Sequence, residues 1–190
     1  VPAKQAWENY PELWKDEKAF MQYLRGAFRS IWSNYPAKHV WKKAQMVPTP
    51  PDFVGRAKTI GRCAFCKERF AASKLEVDHR EQAGSFSNKE EAVEWFWRLL
   101  DTNDNWQLTC KPCHKIKSLQ ERNEGMSFED ARVQKEIIRL TKKENKQEML
   151  DILKASGVEC KNQKERKEAL KQILTKENDE AFPNPTALRV

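Results

Sequence analysis

The chain has 190 residues, of which 39% are hydrophobic and 33% charged, and its 35 Lys/Arg against 28 Asp/Glu give a formal charge of +7. That length suits one domain with extensions or two small domains around a modest core. No apolar run approaches the roughly 20 residues of a membrane-spanning helix and no charged-then-apolar leader is visible, so the expectation is a soluble, cytoplasmic protein. The basic excess lies in residues 1–60, with ten Lys/Arg against five Asp/Glu. Such an excess suits a polyanionic partner without specifying one.

Residues 11–34 are predicted to form an amphipathic helix, because Leu13, Phe20, Leu24, Phe28 and Ile31 recur at steps of three, four and seven. Arg25 and Arg29, four apart, share one side of it. Pro36 is placed to open a second helix carrying Lys42 and Lys43, since its missing N–H costs nothing in a first turn. VPTPPDFVG, residues 47–55, is a proline-rich connector and the candidate boundary. The region before it reads either as a helical packing element or, through Arg25, Arg29, Lys42 and Lys43, as a DNA contact.

LEVD (75–78) and NWQLT (105–109) alternate like short strands. Between them Ser87 and Glu90 have the spacing of a capping box, ahead of a helix whose buried face is predicted to be Val93, Phe96, Trp97 and Leu100. Another helix spans 113–123, and Ser127 caps a charge-rich one running to about 155. A break at Gly157 precedes a last helix over 162–176. That final pair reads as a helix-turn-helix variant or as a brace, and the lack of a turn signature favours the brace. The end, NDEAFPNPTALRV, is expected to be poorly ordered.

Cys63 and Cys66 form one C-x-x-C pair, and Cys110 and Cys113 form another. Two such pairs predict a four-thiolate structural zinc, because a two-residue knuckle turns both sulfurs of a pair towards one tetrahedral ion. The gap between the pairs is long for such a site, and the inserted helix accounts for it. Cys160 is left over as a plain thiol.

Four further groups fall at useful points in this frame. Asp78 and His79 end the first strand, Asn105 opens the second, and His114 follows Cys113 directly. Taken singly, an Asp is usually solvated and a His usually structural. Taken together, Asp78-His79, Asn105 and His114, framed by the two cysteine pairs, resemble the HNH nucleases of the ββα-metal class. NWQLTCKPCHKIKS is similar to that family's N-x-Q-x-x-C-x-x-C-H-x-x-K pattern, and the resemblance covers residues 61–120. Two small departures are Ser118 after Lys117, where Thr is common, and a long loop between His79 and Asn105. The upstream YLRGAFRSIWSNYPAKHVWKKA is similar, more weakly, to the leader of phage-borne HNH proteins.

The resemblance implies an α+β, mostly helical fold with a central ββα-metal motif and zinc knuckles. Read along the chain, the regions are expected to be N-terminal helices with possible DNA contact (1–55), a zinc-bound core (56–125) and a C-terminal helical extension (126–190). The resemblance implies a metal-dependent DNA endonuclease acting on double-stranded DNA, with a phage homing context in an infected bacterial host; the oligomeric state is left open, with a monomer favoured. His79 would be the general base and Asn105 would orient it. Asp78 and His114 would hold a catalytic Mg²⁺ or Mn²⁺, while the four cysteines hold Zn²⁺. Lys115 and Lys117 read equally as solvated helix charges or as phosphate contacts. The competing reading is a zinc-stabilised DNA-binding module without catalysis, and a zinc-clamped protein adaptor is a third. Alternation points Asp78 and His79 to opposite faces, so the strand is expected to end or twist there if both are to meet one phosphate.

Overall fold

The computed structural model of the chain describes residues 4–100 and 103–181, with side chains for 4–100 and 104–176. It is α+β and mostly helical, with two small antiparallel sheets and a cysteine cluster. The chain divides into two compact units, 1–113 and 114–190, each taken by itself. No helix among the described residues is long and apolar enough to cross a membrane.

The first unit opens with a single turn, α1 (Ala6–Asn9), before α2 (Glu17–Ser33). The predicted helix over 11–34 starts later than its apolar pattern suggests because Asp16 caps it, accepting from the Ala19 N–H at 2.8 Å. Its inward stripe is Phe20, Met21, Leu24, Phe28 and Trp32, while Leu13 and Ile31 are exposed. Steps of four from Phe20 lead to Trp32, so the stripe runs one residue past the Ile31 that the periodicity singled out. Helix α3 (Pro36–Ala44) follows, with Pro36 in its first turn.

The connector at 47–55 is not wholly irregular. It begins with an edge strand, β1 (Val47–Pro48), where a proline is tolerated, and β1 pairs with β2 (Thr59–Arg62). β2 pairs in turn with β3 (Arg69–Ala71), and the first cysteine knuckle is the turn between them. Neither β2 nor β3 has enough alternation to be read from sequence. Gly61 on β2 permits a close approach of β2 to the second sheet. A Cβ there would lie 2.7 Å from the Met46 side chain and 2.8 Å from that of Leu75.

The second sheet is a hairpin of β4 (Leu75–His79) and β5 (Trp106–Cys110), in register from Leu75 opposite Cys110 to His79 opposite Trp106. Between the strands lies α4 (Lys89–Leu100). Its cap is Asn88, which accepts from Glu91 N at 2.9 Å while the Glu91 carboxylate reaches back to Ser87, so the predicted Ser87–Glu90 box is displaced by one residue. The buried face of α4 is Trp95 and Leu99 flanked by Ala92, Phe96 and Leu100; Val93 and Trp97 are 61% and 66% exposed. The segment is apolar nearly all round, so periodicity alone could not choose its face. β5 runs directly into α5 (Lys111–Gln120), whose first three residues close the unit.

In the second unit the predicted helix over 128–155 is two helices, α6 (Phe128–Leu140) and α7 (Lys146–Ala155), parted by a 3₁₀ turn at Lys143–Asn145. The Thr141 hydroxyl donates to Ile137 O and the Asn145 amide to Arg139 O, taking up carbonyls that end α6. Ser127 caps α6 with a reciprocal contact from Asp130. After Gly157 (φ 67°), α8 (Gln163–Ala181) completes a core of Val133, Ile137, Leu140, Met149, Leu153 and Leu170, against which Cys160 packs. Arg139 ties α6 to α7 by pairing with Glu136 and Glu148. The expectation for the tail beyond 181 lies outside the described residues.

Gly61→Ala should destabilise the zinc-loaded protein by about 1–3 kcal/mol in denaturant unfolding, because the methyl group overpacks a contact already at its limit. An unchanged midpoint would contradict that packing.

Candidate metal centre and hairpin site

The best-defined chemical group in the structure is the cysteine quartet. The sulfurs of Cys63, Cys66, Cys110 and Cys113 all lie within 4.8 Å of one another, three of the residues buried and Cys66 half-buried. A tetrahedral zinc with bonds of about 2.3 Å needs sulfurs about 3.8 Å apart, so the cluster fits the ion. Among the described residues no other group of three or more His, Cys, Asp or Glu converges in this way.

The knuckle is built by the backbone. Cys63 N donates to Glu68 O at 3.0 Å and Lys67 N to Cys63 O at 3.1 Å, with Lys67 in the left-handed region at φ 62°. Cys110 N donates to Cys63 Sγ at 3.4 Å, joining the two knuckles before any metal is considered. Burial raises the Cys63 thiol, but N–H groups of Cys110, Phe65 and Cys66 outweigh it and bring it down to about 7. Cys113 is driven strongly upward by burial and by the neighbouring thiols, and Cys66 upward chiefly by burial. Four thiolates cannot share this space without a cation, and a bound zinc would release their protons.

Asp78 and His79 sit at the other end of the hairpin. Three to four residues of strand separate them from the Leu75–Cys110 pair, about 10–13 Å along the chain. The cysteine quartet is therefore remote from both side chains. β4 carries both residues in regular register and ends immediately after His79.

Each makes its own contacts. Gln107, directly opposite Asp78, donates from Nε2 to Asp78 Oδ2 at 3.1 Å, and both side chains are buried, with Asp78 9% exposed. His79 is 8% exposed and its Nε2 lies 2.9 Å from the Leu99 carbonyl oxygen. A carbonyl can only accept, so Nε2 carries the proton of this hydrogen bond. The indole of Trp32 covers this imidazole, with ring centroids 4.3 Å apart and planes inclined by 37°.

Asn105 is not a strand residue. It closes a 3₁₀ turn, Asn103–Asn105, just before β5. Its Oδ1 accepts from Glu81 N at 2.8 Å and its Nδ2 donates to Glu81 O at 3.1 Å, while its own carbonyl accepts from Arg80 N at 2.7 Å. The side-chain amide thus fixes the chain leaving β4, and it is Leu99 that engages Nε2 of the imidazole. His114, half-buried on α5, is the first residue of the second unit.

The sequence missed Trp32, the Leu99 carbonyl and Gln107. Gln107 was reachable once Leu75 is paired with Cys110, because that register sets it opposite Asp78. A backbone carbonyl on an inserted helix leaves no signal in residue types.

Three of the six basic residues proposed for DNA have structural partners. Arg25 donates to Phe86 O at 2.7 Å and lies over the Phe86 ring; Lys42 donates to Leu75 O at 2.6 Å. Burial pushes the Lys42 ammonium below its usual range, with Glu76 pulling the other way. Lys117 is buried and paired with Glu121. Arg29, Lys43 and Lys115 are exposed.

No family model, curated protein or solved structure matches the chain. The likeness read over residues 61–120 rests on those residues alone.

One zinc per chain is expected by elemental analysis, and Cys63→Ser or Cys113→Ser should lose it. Chelation of the wild type should lower its thermal midpoint sharply, as removal of a structural zinc does. Retention of full stability in chelator would contradict a structural metal.

Proposed function

We propose that the chain is a metal-dependent endonuclease of double-stranded DNA, of the HNH kind that residues 61–120 resemble, hydrolysing a phosphodiester with water activated at His79. The observation that carries this reading is the Leu99 carbonyl at Nε2 of His79, which holds the nearly buried imidazole in place at the end of β4. A base must present an unprotonated nitrogen in a fixed direction, and imidazole titrates near working pH. The imidazole would take the proton of the attacking water, and Asn105 would hold the strand end that carries the ring.

Asp78 would offer its carboxylate to Mg²⁺ or Mn²⁺. A carboxylate, with other positions left to water and phosphate oxygens, suits such an ion. When bound it supplies charge stabilisation at the phosphate and the leaving oxygen. Gln107 keeps Oδ2 of Asp78 occupied, which fixes the carboxylate plane. The exposed Arg29, Lys43 and Lys115 remain for the DNA backbone, and binding through them would weaken with salt as counterions are released. Phage homing is the biological setting that the leader resemblance supports.

A second reading, a zinc-stabilised DNA-binding module without catalysis, is favoured by one observation: Asp78 and His79 are both nearly buried and both hydrogen-bonded within the hairpin unit. The two readings part in a single assay. Plasmid incubated with the protein and Mg²⁺ or Mn²⁺ should be nicked or linearised, and His79→Ala should slow this by about 10²–10⁴-fold, the usual contribution of a general base. Equal cutting by wild type and variant removes His79 from the role. Salt-sensitive binding that persists in chelator, with no product at any metal concentration, selects the binding module.

A further inference from the structure

We propose that a lysine-lined groove between α6 and α8 grips the phosphate backbone of double-stranded DNA; the proposal rests on the reading of the chain as a protein that acts on such DNA. The groove, about 310 Å³ in volume, lies within the second unit and takes Lys164, Lys167 and Lys171 from α8 and Gln134, Ile138 and Thr141 from α6. The three lysines are exposed and stand at steps of three and four, so they share one face of the helix. At about 1.5 Å per residue they span about 10 Å of helix axis. One strand of a DNA duplex presents a phosphate about every 3.4 Å along its axis, so about three phosphates match that length.

Such a row of cations works against the fold. Like charges three or four apart on a helix repel. Lys164 also stands in the first turn of α8, after the Asn162 cap, where the helix dipole disfavours a cation. Elsewhere in the same unit a cation is matched, Arg139 pairing with both Glu136 and Glu148. Among the described residues none of the three lysines has such an ion pair. The nearby acids do not neutralise the row. Glu168 lines the groove as one carboxylate among three ammonium groups. Glu165 is turned to the helix start, bonded to Lys161 N and to the Asn162 amide. Asp130 acts on Lys171 through space, but its carboxylate is bonded to the hydroxyl and N–H of Ser127. The groove keeps a positive excess that a polyanion would relieve.

The lining selects backbone over bases. The lysine charges lie along a line, which follows a strand and does not converge on a single compact anion. Across the groove Gln134 offers an amide to a phosphate or sugar oxygen, while Thr141 has already given its hydroxyl proton to Ile137 O. Lysine meets a phosphate as a point charge, so the contact adds affinity and orientation and carries no sequence preference.

The test measures binding of a fluorescently labelled DNA duplex by anisotropy over a range of salt, with full-length, zinc-loaded protein and no Mg²⁺ or Mn²⁺, so that nothing is cut. Wild type is compared with the triple variant Lys164→Gln/Lys167→Gln/Lys171→Gln and with the same three positions changed to Arg, thermal melting establishing that each is folded. The slope of log K against log salt should fall in magnitude by about 2–3 in the Gln variant, about one per lost phosphate contact, and stay at the wild-type value in the Arg variant. A Gln variant with wild-type affinity and slope overturns the proposal and leaves the nuclease reading standing, as does an Arg variant that loses as much as the Gln one. If the Gln variant melts early, Glu168→Gln carries the test: tighter duplex binding supports the groove and unchanged binding overturns it. A wild type that binds no duplex overturns both the groove and the nuclease reading. Binding with the expected slopes by a protein that never cuts with Mg²⁺ or Mn²⁺ supports the groove and overturns the catalytic reading alone.

Discussion

Four sulfurs within 4.8 Å of one another tie two distant pieces of chain, the turn between β2 and β3 and the junction of β5 with α5. That constraint decides most of what surrounds it. The N–H of Cys110 already points at Cys63 Sγ, and Ala64 N donates to Leu108 O at 2.7 Å, so the knuckle is stitched to β5 by backbone as well as by thiols. Gly61 allows β2 to press on Leu75 and Leu108, whose side chains would lie 2.8 and 3.0 Å from a Cβ there. The hairpin is short, and an isolated two-stranded hairpin is marginal in water. Packing around the cysteine quartet at one end and around Trp106 at the other holds so short an element in one register.

The two ends of the hairpin divide the work. At the cysteine end four crowded thiols, three of them buried, form a cluster that fits a metal ion. At the other end, Asp78 and His79 leave the strand on opposite faces, each meeting a different partner. Gln107 holds the carboxylate; Leu99 and Trp32 hold the imidazole. Regular strand geometry persists through both residues, so any shared action on a phosphate depends on the chain ending directly after His79, where Asn105 clasps Glu81. Asp78, Gln107 and His79 are nearly buried, and each is hydrogen-bonded.

Local chemistry made part of this legible in the sequence. The cysteine spacing announced the metal cluster, because two-residue knuckles have one common use. The strand alternation found β4 and β5 to within a residue, and Ser127 announced the start of α6. Elements fixed by tertiary contact were not legible. β2 and β3 are three or four residues long and exist by pairing around the knuckle. The face of α4 was misassigned because Trp95 and Trp97 are equally apolar and only packing against Met21 and Phe86 distinguishes them. Arg25 and Lys42 looked like DNA contacts because charge at a helix surface is visible in a sequence, whereas a backbone carbonyl waiting for that charge is not. The partners of His79 were hidden for the same reason: one is main chain, and the other lies 47 positions upstream on a helix whose stripe turns by a single residue.

The central claim is that zinc holds the frame while His79 does the chemistry, and these are separable. Zinc content, thermal midpoint and Mg²⁺-dependent DNA cleavage measured on one preparation of His79→Gln test it most directly. The account predicts one zinc per chain and a midpoint close to wild type, with cleavage reduced to background. Cleavage at the wild-type rate, or loss of the zinc together with the activity, would contradict it.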